Sequence, residues 1–267
     1  MKKVKINRIA QLVKTCMTNE ICLFFVVIAL KLLVFNGMME SGSITNIALV
    51  ASVVGTVLML VSWTNLVPRT VRLPLLYLMD CAVTFIIISD MLFYRYFTDV
   101  LSMPVLAQAS VVSSVKSSVV SLLHLYDLMF ALDLLIIPFV FIIGKRVNWF
   151  SSIGYGKRII RFTAAFIIGL GLCSYGILNL LKTQPSILES FYDRVYIVQN
   201  IGLLSFHSID AFRFVKSKEE KSLPVTGENR SEIREFLTDK KADLPQNPEL
   251  YGVGKDKNLI VIQVEAL

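Results

Sequence analysis

The chain has 267 residues, 55% of them hydrophobic, and its 27 Lys+Arg against 20 Asp+Glu give a net charge of +7. A mean hydropathy of +0.64 excludes an ordinary soluble domain, because apolar runs long enough to cross about 30 Å of hydrocarbon recur down the sequence. The basic excess would suit nucleic acid, but its placement argues against that partner: Lys and Arg sit mainly in short loops between apolar runs, as orientation signals do. The four cysteines, Cys16, Cys22, Cys81 and Cys173, show no Cys-x-x-Cys spacing and read as small hydrophobes without a disulfide framework. His124 and His207 are too few and too far apart for a His-rich metal site.

In chain order, Lys2, Lys3, Lys5, Arg8 and Lys14 precede the apolar run Ile21 to Met39. That run is too long for a signal-peptide core and lacks a small-x-small cleavage site. It is the first predicted span (21–39), with Lys31 as its one internal charge. The second (44–67) carries Ala48, Ala51, Ser52 and Gly55, whose small side chains let helix backbones approach closely. The third (73–97) contains Asp80 and Asp90 and closes in a dense cluster from Ser89 to Asp99. Within it, Asp90, Tyr94, Arg95 and Tyr96 are the candidate lipid-headgroup residues: a guanidinium binds phosphate in bidentate fashion, and Asp90, about one turn earlier, is expected to orient it. The competing reading is an aromatic belt with a snorkelling arginine.

Residues 98–127 do not read as a span. Val112, Val115, Val119 and Leu122 share one helical face against Ser114, Ser117, Ser118 and Ser121, which predicts a helix in the headgroup plane or a lid packed on the bundle. The fourth span (128–144) contains Asp133, and the fifth (159–181) holds the small pair Ala165 and Gly169. Twelve Lys and Arg residues fall in the N-terminus and in the loops 68–72 and 145–161, against Arg95 and Lys116 in the opposite loops. This imbalance places the N-terminus in the cytoplasm and everything after Leu181 outside.

Residues 182–215 form two amphipathic pieces expected to rest on the outer membrane surface or on the bundle. Residues 216–257 turn to Lys, Glu, Asp, Pro and Asn, an exposed linker with one short helix at Ser231–Asp239. Leu223-Pro-Val-Thr-Gly227 spells a cell-wall sorting pentapeptide, but without a following apolar span and basic tail it reads as coincidence. Asn258 to Leu267 is a branched apolar run of the kind that forms a strand buried on both faces, so the chain is expected to break off at the opening of a second domain. The predicted fold is an all-α membrane bundle of five transmembrane helices with interfacial helices, followed by the truncated start of an extracellular α/β domain.

Four segments in this order resemble the lipoteichoic acid synthase family of Gram-positive bacteria. They are Ser89-Asp-Met-Leu-Phe-Tyr-Arg-Tyr-Phe-Thr-Asp-Val-Leu-Ser102, Leu122-Leu-His-Leu-Tyr-Asp-Leu-Met-Phe-Ala-Leu-Asp133, Asn200-Ile-Gly-Leu-Leu-Ser-Phe-His-Ser-Ile-Asp210 and Asn258-Leu-Ile-Val-Ile-Gln-Val-Glu265. The resemblance covers essentially the whole chain. It implies a five-span plasma-membrane protein bearing an extracellular sulfatase-like domain. That protein would be a phosphoglycerol transferase, moving glycerophosphate from phosphatidylglycerol onto a chain growing on a glycolipid anchor. A threonine nucleophile and a divalent metal, Mn²⁺ or Mg²⁺, are implied, with Glu265 as one metal ligand. The nucleophile and the other ligands are expected downstream of Leu267, so the chain as given is expected to be catalytically silent and to hold no metal by itself. The alternative is a non-enzymatic five-span module that binds lipid or regulates a partner.

Overall fold

The computed structural model describes residues 20–39, 46–107, 122–146, 154–222, 227–242 and 254–258. Among them every regular element is helical. The helices are α1 (Glu20–Met38), α2 (Ile47–Ser62), α3 (Arg69–Phe97), α4 (Met103–Ala107), α5 (Leu132–Arg146), α6 (Tyr155–Thr183), α7 (Ile187–Ser190), α8 (Arg194–Ile201), α9 (Leu203–Ser222) and α10 (Gly227–Ala242). A 3₁₀ turn, Trp63–Asn65, closes α2, and a 3₁₀ segment, Leu125–Ala131, leads into α5. The chain divides after Lys216 into two units.

In the first unit, four helical stretches are long and apolar enough to cross a membrane: Glu20–Met38, Ile47–Asn65, Thr70–Phe97 and Tyr155–Thr183. The expected fourth span differs. Its first turns are 3₁₀ and its α-helix has 15 residues, about 22 Å at 1.5 Å per residue, short of the hydrocarbon thickness. Pro138 also lies inside it, removing one ladder hydrogen bond. By contrast α3 has 29 residues, about 43 Å, so its ends stand clear of a 30 Å core. Those ends carry Arg72 and the Tyr94–Phe97 cluster.

Local chemistry sets the boundaries. Asn46 caps α2 by accepting from the Ala48 and Leu49 amides at 3.0 and 3.5 Å, satisfying donors that the first turn leaves orphaned. Pro68 precedes α3 in extended conformation. At the far end Thr98 adopts a left-handed conformation and its amide closes on the Tyr94 carbonyl. The buried Arg72 ties α3 to the preceding turn and to α1, donating to the Thr64 and Val67 carbonyls and pairing with Glu20 at 3.1 Å.

α2 packs on α6 through glycines. A methyl group added at Gly55 would lie 2.6 Å from the Gly169 carbonyl oxygen, and one at Gly176 would lie 2.7 Å from Ser52 Cβ. The small residues of the second predicted span do permit this close approach, here with Gly169 and Gly176 as partners. Beside the contact, Ser52, Thr56, Ser205 and Cys173 form a hydrogen-bonded cluster, with Thr56 Oγ1 to Ser205 Oγ at 2.6 Å. Cys81 and Cys173 are free thiols.

Of the two expected sites for the 182–215 segment, the structure shows the bundle. Ile197, Val198, Ile201, Leu203 and Phe206 are fully buried or nearly so. Asn36 donates to the Val198 carbonyl at 3.0 Å and Ser52 to the Ile201 carbonyl at 2.7 Å. Gly202 makes the turn between α8 and α9 at φ 80°, and Val53 lies where a Cβ would stand. In the second unit α10 covers the predicted Ser231–Asp239 helix and runs longer at both ends. The Val/Ser-faced segment 112–121 and the apolar run 259–267 lie outside the described residues.

Candidate functional site

Among the described residues of the first unit, three polar centres bear on the candidate site, each built from residues far apart in sequence. The first lies within the bundle. Lys31 of α1 points its ammonium at Asp80 of α3 (2.8 Å), at Asp133 of α5 (2.6 Å) and at the Thr84 hydroxyl (2.7 Å). Asp80 is fully buried. One cation therefore serves two carboxylates, and Asp80 Oδ2 has no hydrogen-bond partner among the described residues. Charge at membrane depth is costly unless paired, and this pairing holds α1, α3 and α5 together.

The second centre joins α3 to α9. Asp90 Oδ2 meets His207 Nε2 at 2.8 Å while its Oδ1 accepts the Leu101 amide at 3.0 Å. One turn further along α9, Asp210 accepts the Met103 amide at 2.6 Å. Arg194, at the start of α8, pairs with both oxygens of Asp99 and donates to Ser102. The short segment after α3 is thus clamped by α8 and α9. No hydrogen bond among the described residues joins Asp90 to Arg95, and the expectation that Asp90 orients the guanidinium is corrected. Five positions along an α-helix amount to about 140° of rotation beyond a full turn, so the two side chains leave α3 on different faces.

The third centre contains Arg95. Asp127, from the 3₁₀ segment, grips it as a bidentate partner at 2.6 and 2.5 Å, and Arg95 also donates to the Leu122 carbonyl at 2.9 Å. The guanidinium stands 4.9 Å from the centre of the Tyr126 ring, which stacks on His124 at 5.0 Å. Asp127 is buried and also accepts the His124 amide at 2.9 Å. The Arg95 guanidinium beside it holds its carboxyl below the usual carboxylate range.

A cavity of about 290 Å³ opens here, lined by Met38, Met91, Tyr94, Arg95, Thr98 and Tyr126. Of the four sequence-predicted headgroup residues, the structure brings Tyr94 and Arg95 to this cavity. Asp90 is buried against His207, and Tyr96 is 54% exposed and stacks edge-on against Phe97. Tyr126 and Asp127 were missed, although both stand in the Leu122–Asp133 segment that carried the family resemblance. Lys31, Asp80 and Asp133 were visible as single internal charges; the signal that they belong together is their opposite sign at comparable depth. Glu265 lies outside the described residues. Among the described residues no three His, Cys, Asp or Glu side chains gather as a metal centre would.

Long apolar helices packed around buried ion pairs make this a multi-pass membrane protein. The chain belongs to the lipoteichoic acid synthase N-terminal domain family, whose model matches residues 1–223. The lipoteichoic acid synthases of Staphylococcus aureus strains USA300, NCTC 8325 / PS 47 and COL are each 24% identical to it over 183 residues, 68% of this chain and 27% of theirs. The match therefore spans little more than a quarter of those relatives' length. No solved structure matches the chain.

Proposed function

We propose that this chain is the membrane portion of a lipoteichoic acid synthase-like phosphoglycerol transferase of the plasma membrane. In this reading the bundle presents phosphatidylglycerol, and the growing chain on its glycolipid anchor, to an extracellular sulfatase-like domain. The family match over residues 1–223 is the observation that carries it. The loop charges support a cytoplasmic N-terminus. In that topology residues 128–144 make the fourth of five crossings, with Asp127 just outside it, and the Arg95 cavity faces the outer leaflet. Lipid is held there by Tyr94 and Arg95, with the rest of the cavity wall. Glu265 serves as a carboxylate ligand to Mn²⁺ or Mg²⁺, an ion that would polarise the transferred phosphate. A metal site of that kind needs residues besides those described.

The test is lipid retention by the full chain in nanodiscs formed from native membranes. Phosphatidylglycerol should be enriched over its bulk share, and Arg95→Ala should remove the enrichment while the protein still melts cooperatively. Equal lipid profiles for the two proteins would sink the headgroup role and favour a module that regulates without holding lipid.

A further inference from the structure

Charge balance at the Arg95 cavity says which part of a lipid it suits. We infer that the cavity recognises an uncharged polyol, the terminal glycerol or sugar of a lipid headgroup, rather than a phosphate; this rests on the headgroup reading above. Arg95 is already neutralised, with both Asp127 oxygens on its guanidinium at 2.6 and 2.5 Å. Asp127 is only 3% exposed and is held by the His124 amide. A phosphate that took the guanidinium would leave this carboxylate buried and uncompensated, the costly outcome for a broken buried pair.

A neutral hydroxylated group meets no such conflict. The Arg95 guanidinium, its charge already balanced by Asp127 behind it, the Thr98 hydroxyl and the two tyrosines line the cavity with hydrogen-bonding groups that add no net charge. The Tyr94 and Tyr126 rings and the thioethers of Met38 and Met91 offer faces for the C–H side of a polyol. At about 290 Å³ the cavity lies at the small end of ligand sites, room for a single compact headgroup. It sits where α1 ends at Met38 and α3 ends at Phe97, the level at which headgroups begin if these helices span. Glycerol beyond the phosphate and a hexose on diacylglycerol share the recognised chemistry.

Native mass spectrometry of the full chain in phosphatidylcholine nanodiscs tests this. The discs are doped with phosphatidylglycerol, with monoglucosyl diacylglycerol, or with phosphatidic acid, which has the phosphate and no polyol. Phosphatidylglycerol, the glucosyl lipid or both should be retained about tenfold better than phosphatidic acid, and which of them is retained assigns the source. Tyr126→Ala and Thr98→Val should erase that preference with the melting temperature as the check on folding. Asp127→Asn, by uncovering the Arg95 charge, should raise phosphatidic acid retention. Phosphatidic acid held as tightly as phosphatidylglycerol would overturn the inference and leave the headgroup reading standing. Indifference of all three lipids to every cavity variant would overturn both.

Discussion

The α2–α6 contact makes a sharp test of the packing, because two glycines of one bundle should respond to the same substitution with opposite signs. In Gly55→Ala the new methyl lies 2.6 Å from the Gly169 carbonyl oxygen, 2.9 Å from the Cys173 amide nitrogen and 2.9 Å from Leu172 Cβ. The first two are backbone atoms, so no rotamer change relieves the overlap and α6 has to move away from α2. Overpacking costs about 1–3 kcal/mol, and three contacts under 3.0 Å, two of them to backbone, put Gly55 in the upper part of that range, about 2–3 kcal/mol. Alanine regains about 1 kcal/mol of helix propensity over glycine, leaving a net loss of about 1–2 kcal/mol. At about 2–4 °C per kcal/mol for a chain of this size, the melting temperature should fall by roughly 2–8 °C. Gly171, two residues beyond Gly169 on α6, has nothing within 4 Å of its added Cβ. Gly171→Ala should leave stability unchanged or raise it by up to about 1 kcal/mol. Thermal unfolding in detergent, followed by far-ultraviolet circular dichroism, reads both. A Gly55→Ala protein as stable as Gly171→Ala would refute the close approach.

Three further outcomes are expected. Lys31→Met leaves Asp80 and Asp133 facing each other without a cation and should cost about 3–5 kcal/mol, whereas Asp80→Asn leaves a balanced Lys31–Asp133 pair and should cost clearly less; the reverse order in chemical unfolding would contradict the triad. The Asp127 carboxyl is held below the usual carboxylate range by Arg95, so its pair stabilises the fold fully above about pH 4. That stability drains away as pH falls through the lower, folded value, and an Asp127→Asn protein should lack this acid limb in a pH series of melting temperatures. For orientation, a cysteine at Ser190 should react with an impermeant maleimide in intact cells and one at Gly156 only after permeabilisation, with the opposite labelling overturning the loop-charge argument.

Sequence by itself located the long apolar helices, to within a few residues at most ends. The reason is that a run of some twenty apolar residues in lipid has one way to satisfy its own backbone. The first predicted span, 21–39, corresponds to Glu20–Met38, and the fifth, 159–181, lies inside Tyr155–Thr183. The small residues around Gly55 were likewise legible as a place for close approach, since only a missing side chain permits it. The partners of the charges were not. Asp90 was matched to Arg95 by nearness along the chain, yet its partner His207 is 117 residues away, and Arg95 is held by Asp127, 32 residues on. The 3₁₀ start of the fourth apolar segment was equally hidden, since hydrophobicity does not distinguish it from α-helix. Apolar length is a local property and acts before the helices meet. Which carboxylate reaches which cation depends on helix rotation and crossing, and those follow from the packing of glycine faces and buried ion pairs that exists only once the bundle has formed.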